Sequence, residues 1–192
     1  MRLALVLIVF AAGWRIAGVY LPALSNFAPL MAMAFCSAVY FRDKRMWLVP
    51  FAALTLSDLY LDHHYATVYH YEWSVSGVAV RAACFIAALG FGVMVASRRS
   101  WLNLFSGALG GAVFFYLVTN TASWLGDKDY LHNFAGWWQA MTVGHPQFEP
   151  TLVFFRNTLV SDLLFTGVFA VAMEYNALRK QQPTLLPQRL AN

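Results

Sequence analysis

Hydrophobic residues make up 60% of the 192-residue sequence and charged residues only 11%, whereas a soluble globular domain carries roughly 25% charged residues. This composition excludes an ordinary soluble domain and indicates a membrane protein. The two cysteines, Cys36 and Cys84, are too few and too far apart for a disulfide framework or a CxxC metal site.

Six hydrophobic runs follow one another along the chain, and a membrane-spanning helix needs about 20 such residues. The runs are Leu3–Leu21, Phe27–Phe41, Met46–Leu61, Val75–Ala96, Trp101–Leu125 and Thr151–Ala172. The second and third are short, and we interpret them as two crossings, with a helical hairpin that does not fully cross as the alternative. The predicted fold is therefore an all-α integral membrane domain of six transmembrane helices over residues 1–175, followed by a tail at 176–192.

The charged residues are distributed unequally between the two ends of these helices. Nine basic residues lie at one end, in the N terminus, the connections at 42–45 and 97–100, and the C-terminal tail. The connections at the other end hold five acidic residues and a single lysine, Lys128. The positive-inside rule then places both termini in the cytoplasm. Because the basic residues form no continuous patch, nucleic acid is excluded as a partner.

The stretch from Leu59 to Cys84 is the most polar and aromatic of the chain, and this orientation places it at the outer face. Its three histidines, His63, His64 and His70, do not have a standard zinc spacing. Its aromatic residues, with one tryptophan of the last outer loop, form an interfacial belt or the wall of a pocket for a large, partly apolar ligand. These candidate pocket residues are Tyr69, Tyr71, Trp73 and Trp138.

Five ionisable residues lie within or at the edge of the hydrophobic runs, where charges are costly and usually face the bundle interior in pairs. They are Arg15, Asp58, Arg81, Arg156 and Asp162, and Asn157 adjoins Arg156. Two interpretations remain open. The residues form ion pairs that fix the register of the helices, or they form the polar floor of an outward-facing substrate pocket.

Cys84 follows Arg81 by about one helical turn, in the outer half of the fourth run. A nearby arginine favours the thiolate, which is the metal-binding form of cysteine. One soft thiolate suits an axial position on a metal that a macrocycle already holds better than it suits a free ion. The alternative is an inert core cysteine, which is how we interpret Cys36 in the second run.

Several segments together resemble a known family. They are SNFAPLMAMAFCSAVYF with the following VPFAALTLSDLYL, and TNTASWL, GWWQAMTVGHPQFEPT and FFRNTLVSDLLFTGVF further along the chain. The resemblance covers roughly Leu24–Phe169, and it is to the substrate-binding (S) components of energy-coupling-factor vitamin transporters. Within that family the chain is most similar to a solitary component that transports cobalamin and has a cysteine ligand to cobalt.

The resemblance implies uptake of a vitamin, foremost cobalamin, bound near the outer face between helices four to six and the outer loops. Cys84 would be the cobalt ligand, and the candidate residues above would line or support the pocket. Cobalamin would be transported cargo, with no prosthetic group, and the partners would be the vitamin and the lipid bilayer. The first helix offers only Gly13 and Ala17 where S components carry an Ala-x-x-x-Ala stripe. This departure leaves open whether an energising ATPase module docks or the chain works alone.

The motifs do not indicate an enzyme. The sequence has no GxSxG, HExxH or paired-carboxylate motif and no GxxxxGK[ST] phosphate loop. At most, Cys84 would exchange an axial ligand on bound cobalamin. Two alternatives to cobalamin uptake remain open: an S-component-like transporter of another small vitamin or precursor, in which Cys84 is idle, and a membrane scaffold protein that transports nothing.

Overall fold

The computed structural model describes residues 2–21, 26–70, 74–146, 148–182 and 184–185, with the backbone alone at positions 2, 3 and 69. This part of the chain is helical throughout and contains no β-strand. The helices are α1 Arg2–Gly18, α2 Leu30–Tyr40, α3 Leu48–Tyr69, α4 Val75–Ser97, α5 Trp101–Gly126, α6 Phe134–Met141 and α7 Thr151–Arg179, with a 3-10 turn at Lys44–Trp47 before α3. The all-α class predicted from the sequence is confirmed.

Each of the six hydrophobic runs corresponds to one α-helix, but the length of α3 and the presence of α6 differ from the prediction. α3 continues eight residues past Leu61 and ends where His70 adopts a left-handed backbone with φ of 53°. His63 and His64 therefore lie on a helix and not in a loop. The predicted last outer loop contains α6, an eight-residue helix whose first turn Asn133 caps by accepting a hydrogen bond from the Gly136 N–H.

Three helices, α4, α5 and α7, are long and apolar enough to cross a membrane. The two apolar segments Ala4–Gly18 and Leu30–Tyr40 are shorter. At 1.5 Å per residue, the eleven residues of α2 extend about 17 Å, which is well short of a hydrocarbon core of about 30 Å. A membrane-spanning helical protein is thus supported, whereas the count of six crossings stays a prediction.

α2 is the buried centre of the bundle, with nine of its eleven residues buried. It packs most extensively against α4 and also against α7. The closest approach is at Gly92 of α4, where an added β-carbon would lie 2.4 Å from the backbone oxygen of Phe35. Small residues allow such contacts, which membrane helices need because lipid provides no hydrophobic drive for their association.

The outward faces of the long helices are apolar and exposed. Ile86, Met94 and Leu102 are 67%, 69% and 76% exposed. Water would make such a surface costly, whereas the acyl chains of a bilayer would not. The surface therefore agrees with the membrane class that the composition predicts.

The C-terminal end of α7 extends beyond the predicted domain boundary at residue 175. The helix continues to Arg179, and the backbone N–H of Leu185 then donates a 2.6 Å hydrogen bond to Oε2 of the buried Glu174. The first residues of the predicted tail therefore fold back onto the helical domain.

Candidate functional site

A cluster of four charged side chains joins α1, α3 and α4. Arg81 Nε lies 3.0 Å from Oδ2 of Asp58, and Arg81 Nη2 lies 2.9 Å from Oδ2 of Asp62. Arg15 Nη1 lies 2.5 Å from the other oxygen of Asp58 and also donates a 2.8 Å hydrogen bond to Ser57 Oγ. Two arginines and two aspartates thus neutralise one another in a partly buried position.

This charge cluster links α3 and α4, together with a ring contact of Phe51 with Phe85 at 5.4 Å between centroids. In the described part of the chain, α3 packs chiefly on α1, whereas α4 packs on α2 and α5, and the backbones of α3 and α4 make little contact with each other. Paired charges in such a place fit the interpretation that they fix the register of the helices.

Cys84 is a free thiol that is 2% exposed, on the same helix as Arg81. The guanidinium of Arg81 does not approach it. Side chains of an α-helix lean towards its N-terminus, and Arg81 Nη1 lies 3.8 Å from the position of a β-carbon added to Gly77, one turn before it. The arginine that the sequence places beside the thiol is therefore directed away from it, towards Asp58 and Asp62.

An aromatic cluster surrounds His64 at the last turns of α3. The rings of Tyr20, Tyr60 and Tyr65 have centroids 5.5, 6.4 and 6.0 Å from that of His64. The hydroxyls of Tyr20 and Tyr60 share a 2.5 Å hydrogen bond. No pattern in the sequence indicates Tyr20 as a member of this cluster, since it lies 40 residues from Tyr60. Of the predicted aromatic pocket residues, Tyr71 and Trp73 lie outside the described residues, and so does the side chain of Tyr69.

The connection between α5 and α7 folds over the end of α5. Trp137 Nε1 donates a 3.2 Å hydrogen bond to Thr121 Oγ1, and the Tyr116 hydroxyl donates to the carbonyl of Met141. The predicted pocket residue Trp138 lies on the other side of α6 and is 56% exposed. Its neighbour Trp137, which faces α5, fits a structural role.

Asp127, Asp129 and His145 come together in the same connection. One ligand-type atom from each lies within 4.8 Å of the others, and His145 Nε2 is 2.8 Å from Oδ2 of Asp129. Asp127 Oδ1 accepts a 2.9 Å hydrogen bond from the Asp129 N–H. These contacts brace the connection at the end of α5.

The remaining candidate residues lie on α7. Arg156 is exposed and donates to the side-chain oxygen of Asn157, whereas Asn157 itself is buried. Asp162 is 2% exposed and lines a small internal cavity between α2, α4, α5 and α7. Neither this cavity nor an apolar groove along the outer face of α7 is lined by Cys84. The predicted site residues thus do not form one site: Asp58 and Arg81 meet in the charge cluster, Cys84, Asn157 and Asp162 are buried, and Arg156 and Trp138 are exposed.

The sequence matches one family model over residues 1–185, and the description of that model is "Family of unknown function (DUF6580)". The match covers nearly the whole chain, including the charge cluster, Cys84 and Asp162. No curated protein and no solved structure matches the chain significantly.

Proposed function

Since this chain belongs to the DUF6580 family, a family of unknown function, we propose its activity from its own residues. The proposed activity is uptake of a vitamin, with cobalamin as the ligand, by a multi-pass protein of the bacterial cytoplasmic membrane. The observation that carries the proposal is the free, buried thiol of Cys84, which follows Arg81 by about one turn and adjoins Phe85, whose ring contacts Phe51 of α3.

The thiol of Cys84 can act as an axial ligand to a metal ion that a macrocycle already holds. It forms no disulfide, and the described residues provide it with no hydrogen-bond partner. A single thiolate is a soft donor that can take one axial position of a cobalt ion whose four equatorial positions a corrin ring already occupies. Coordination would release the thiol proton to solvent and the previous upper ligand, such as water or cyanide, from cobalt.

Access to Cys84 requires a conformational change, because a thiol that is 2% exposed cannot reach a ring as large as a corrin. The opening that we propose is a separation of α3 from α4. That separation breaks the contacts of Arg81 with Asp58 and Asp62 and the ring contact of Phe51 with Phe85, the neighbour of Cys84. We propose the α3–α4 interface as the entry for the ligand.

Visible absorption tests the proposal directly. The protein is purified from cells supplied with cobalamin, together with Cys84→Ala and, as a matched control, Cys36→Ala, which removes the other buried thiol. Wild type and Cys36→Ala are expected to retain cobalamin with a spectrum changed by axial thiolate, and Cys84→Ala is expected to lose that change. Identical spectra for bound cobalamin in all three proteins would overturn the role of Cys84.

A protein that is colourless after purification and fails to bind added cobalamin would overturn cobalamin as the ligand. Growth of a deletion strain on limiting amounts of other vitamins would then distinguish transport of another vitamin from a scaffold role. Binding assays with and without an ATPase-containing module would decide whether the protein works alone.

A further inference from the structure

α6 is an amphipathic helix in the connection between α5 and α7, outside the six hydrophobic runs. On one side its Gly136, Ala140 and Met141 are buried. On the opposite side Phe134 and Trp138 are each more than half exposed, and their rings stack with centroids 6.5 Å apart. Two large aromatic side chains are thus directed away from the protein.

Two further exposed apolar side chains flank this helix. Leu131 precedes α6 and Val143 follows it, and each is more than half exposed. These four residues are called the α6 patch: Leu131, Phe134, Trp138 and Val143. None of them is charged, and the indole N–H is their one polar side-chain group. Contact of such a surface with water is costly, and an exposed apolar patch on a native protein usually marks an interaction site.

Hydrogen bonds attach the flanks of α6 to the ends of α5 and α7. The indole N–H of Trp124, in the last turn of α5, donates a 2.9 Å hydrogen bond to the carbonyl of Leu131. The N–H of Leu152, in the first turn of α7, donates a 3.2 Å hydrogen bond to the carbonyl of Thr142. Both α5 and α7 are long and apolar enough to cross a membrane. The position of α6 relative to the membrane therefore follows from theirs.

α6 packs alongside the last turns of α5 and not beyond them. Trp137 donates a hydrogen bond to Thr121, and the Tyr116 hydroxyl donates one to the carbonyl of Met141. At 1.5 Å per residue, Thr121 and Tyr116 lie about 8 and about 15 Å before the end of α5 at Gly126. This helix is about 39 Å long, so it exceeds a hydrocarbon core of about 30 Å by about 9 Å. With that excess shared between its two ends, the level of Thr121 falls near the boundary between headgroups and acyl chains.

A lipid leaflet fits the α6 patch better than a substrate pocket does. Neither of the two cavities described above is lined by a residue of α6. Leu125 at the end of α5 and Leu152 at the start of α7 are also more than half exposed, so the patch continues the apolar outward surface of the long helices. Tryptophan is enriched at membrane interfaces, and helices that lie in an interface bury an apolar face about 5–10 Å into it.

We propose that α6 is an interfacial helix, which inserts the α6 patch among the headgroups and upper acyl chains of the leaflet at this end of α5. The partner of the patch is the phospholipid itself. The charge distribution predicts that this is the outer leaflet, and the same contacts would form in the opposite orientation. Trp138 then contacts lipid and not the substrate, whatever the transported ligand is.

Spin labelling of the protein in phosphatidylcholine liposomes tests the insertion. A nitroxide is attached to Phe134→Cys, to Trp138→Cys and, as a matched control, to Lys128→Cys, an exposed charged position of the same connection. Power saturation then compares the accessibility of each label to oxygen, which concentrates in lipid, and to a water-soluble nickel chelate. The ratio of oxygen to nickel accessibility should be severalfold higher at positions 134 and 138 than at position 128.

Two results would overturn the proposal. Equal ratios at the three positions would place the α6 patch in water. Protection of positions 134 and 138 from both oxygen and nickel would show that protein covers the patch, either a second copy of the chain or another part of the same copy.

Tryptophan fluorescence gives a second readout, without a spin label. Wild type and Trp138→Phe are compared in liposomes of phosphatidylcholine brominated either near the headgroup end or near the far end of its acyl chains. The difference between the two proteins isolates the signal of Trp138, which bromine near the headgroup end should quench severalfold more than bromine at the far end. A Trp138 signal that neither lipid quenches would contradict the proposed insertion.

Discussion

Arg81 of α4 and Asp58 of α3 form an ion pair in which Nε lies 3.0 Å from Oδ2, and this pair bridges two helices that otherwise pack loosely. The second oxygen of Asp58 lies 2.5 Å from Arg15 of α1. A single carboxylate thus connects three helices through two arginines. Because both arginines depend on it, Asp58 is the most sensitive position of the charge cluster.

Asp58→Asn should lower the free energy of unfolding by about 2 kcal/mol. Breaking a fully buried ion pair costs about 3–5 kcal/mol, and the partial exposure of these side chains reduces that value by solvent screening. The variant keeps the shape of the side chain but leaves Arg15 and Arg81 without their common partner. Chemical denaturation in detergent, followed by tryptophan fluorescence, would measure the change.

Asp62→Asn is the control for this prediction, because in the described part of the chain Asp62 forms an ion pair with Arg81 and not with Arg15. It should cost less than 1 kcal/mol, as expected for an ion pair near the surface. Equal losses for the two variants would contradict the view that Asp58 is the shared centre of the charge cluster.

The ends of α4 and α5 could be predicted from the sequence to within one residue, because local signals determine them. Ser74 and Ser100 precede these helices and accept hydrogen bonds from Gly77 N–H and Asn103 N–H, so each helix begins where a serine can cap it. Continuous apolar residues then carry both helices across the membrane. The resemblance to S components was not needed for this part of the fold.

The course of α3 could not be predicted, because its last turns are polar in sequence but helical in structure. A polar, histidine-bearing segment is usually a loop when it follows an apolar run. Here the aromatic contacts of His64 with Tyr20 and Tyr60 stabilise two further turns. Tyr20 is distant in sequence, so only the packing of α1 against α3 brings these side chains together.

The ion pairs could likewise be predicted only in part from the sequence. The cost of charge in a membrane predicts that Arg15 and Asp58 find partners, but not which partners, since 43 positions separate them. Asp162 is the clearest example, since the sequence grouped it with Arg156, six residues earlier. Six residues on an α-helix turn the side chains to different faces, and the structure accordingly buries one and exposes the other.

Gly92 and Gly111 should respond in opposite ways to substitution by alanine. In Gly92→Ala the new β-carbon would lie 2.4 Å from the Phe35 backbone oxygen, so α2 and α4 must move apart. The expected loss is about 2–3 kcal/mol, as for other overpacked cores. In Gly111→Ala the added methyl meets no atom within 4 Å, and the better helix propensity of alanine should stabilise the protein by up to about 1 kcal/mol.

The same denaturation measurement compares the two glycine variants. If Gly111→Ala lowers the free energy of unfolding and Gly92→Ala leaves it unchanged, the prediction is wrong, and the contact of α2 with α4 at Gly92 has room for a methyl group. Circular dichroism at high denaturant controls for differences in the unfolded state.

Tyr130, in the connection between α5 and α6, should make the protein less stable at alkaline pH. Burial of the phenol raises the pKa of Tyr130, and the nearby Asp127 carboxylate raises it further. The folded state therefore keeps a proton that the unfolded chain loses above about pH 10. Stability from this residue is complete below that pH and is lost as the pH rises from there through the higher pKa of the folded state. Tyr130→Phe should consequently show a shallower fall of Tm between pH 9 and 11.

The other tyrosines contribute to the same pH range, so the difference between wild type and Tyr130→Phe is the informative quantity. An Asp127→Asn variant provides a second check, because it removes one of the two causes of the raised pKa of Tyr130. Parallel curves for wild type and Tyr130→Phe would rule out a role for Tyr130 in alkaline unfolding.

Cysteine labelling in intact cells should place the two ends of α5 on opposite sides of the membrane. Arg99 and Lys128 are exposed and lie just before and just after this 26-residue helix, which is about 39 Å long. The excess of basic residues at the first end predicts that it is cytoplasmic. A membrane-impermeant maleimide should therefore label Lys128→Cys once the outer membrane is permeable, and Arg99→Cys only after lysis. The native thiols are buried and give little background, and the reverse pattern would invert the predicted orientation and place Cys84 at the cytoplasmic side.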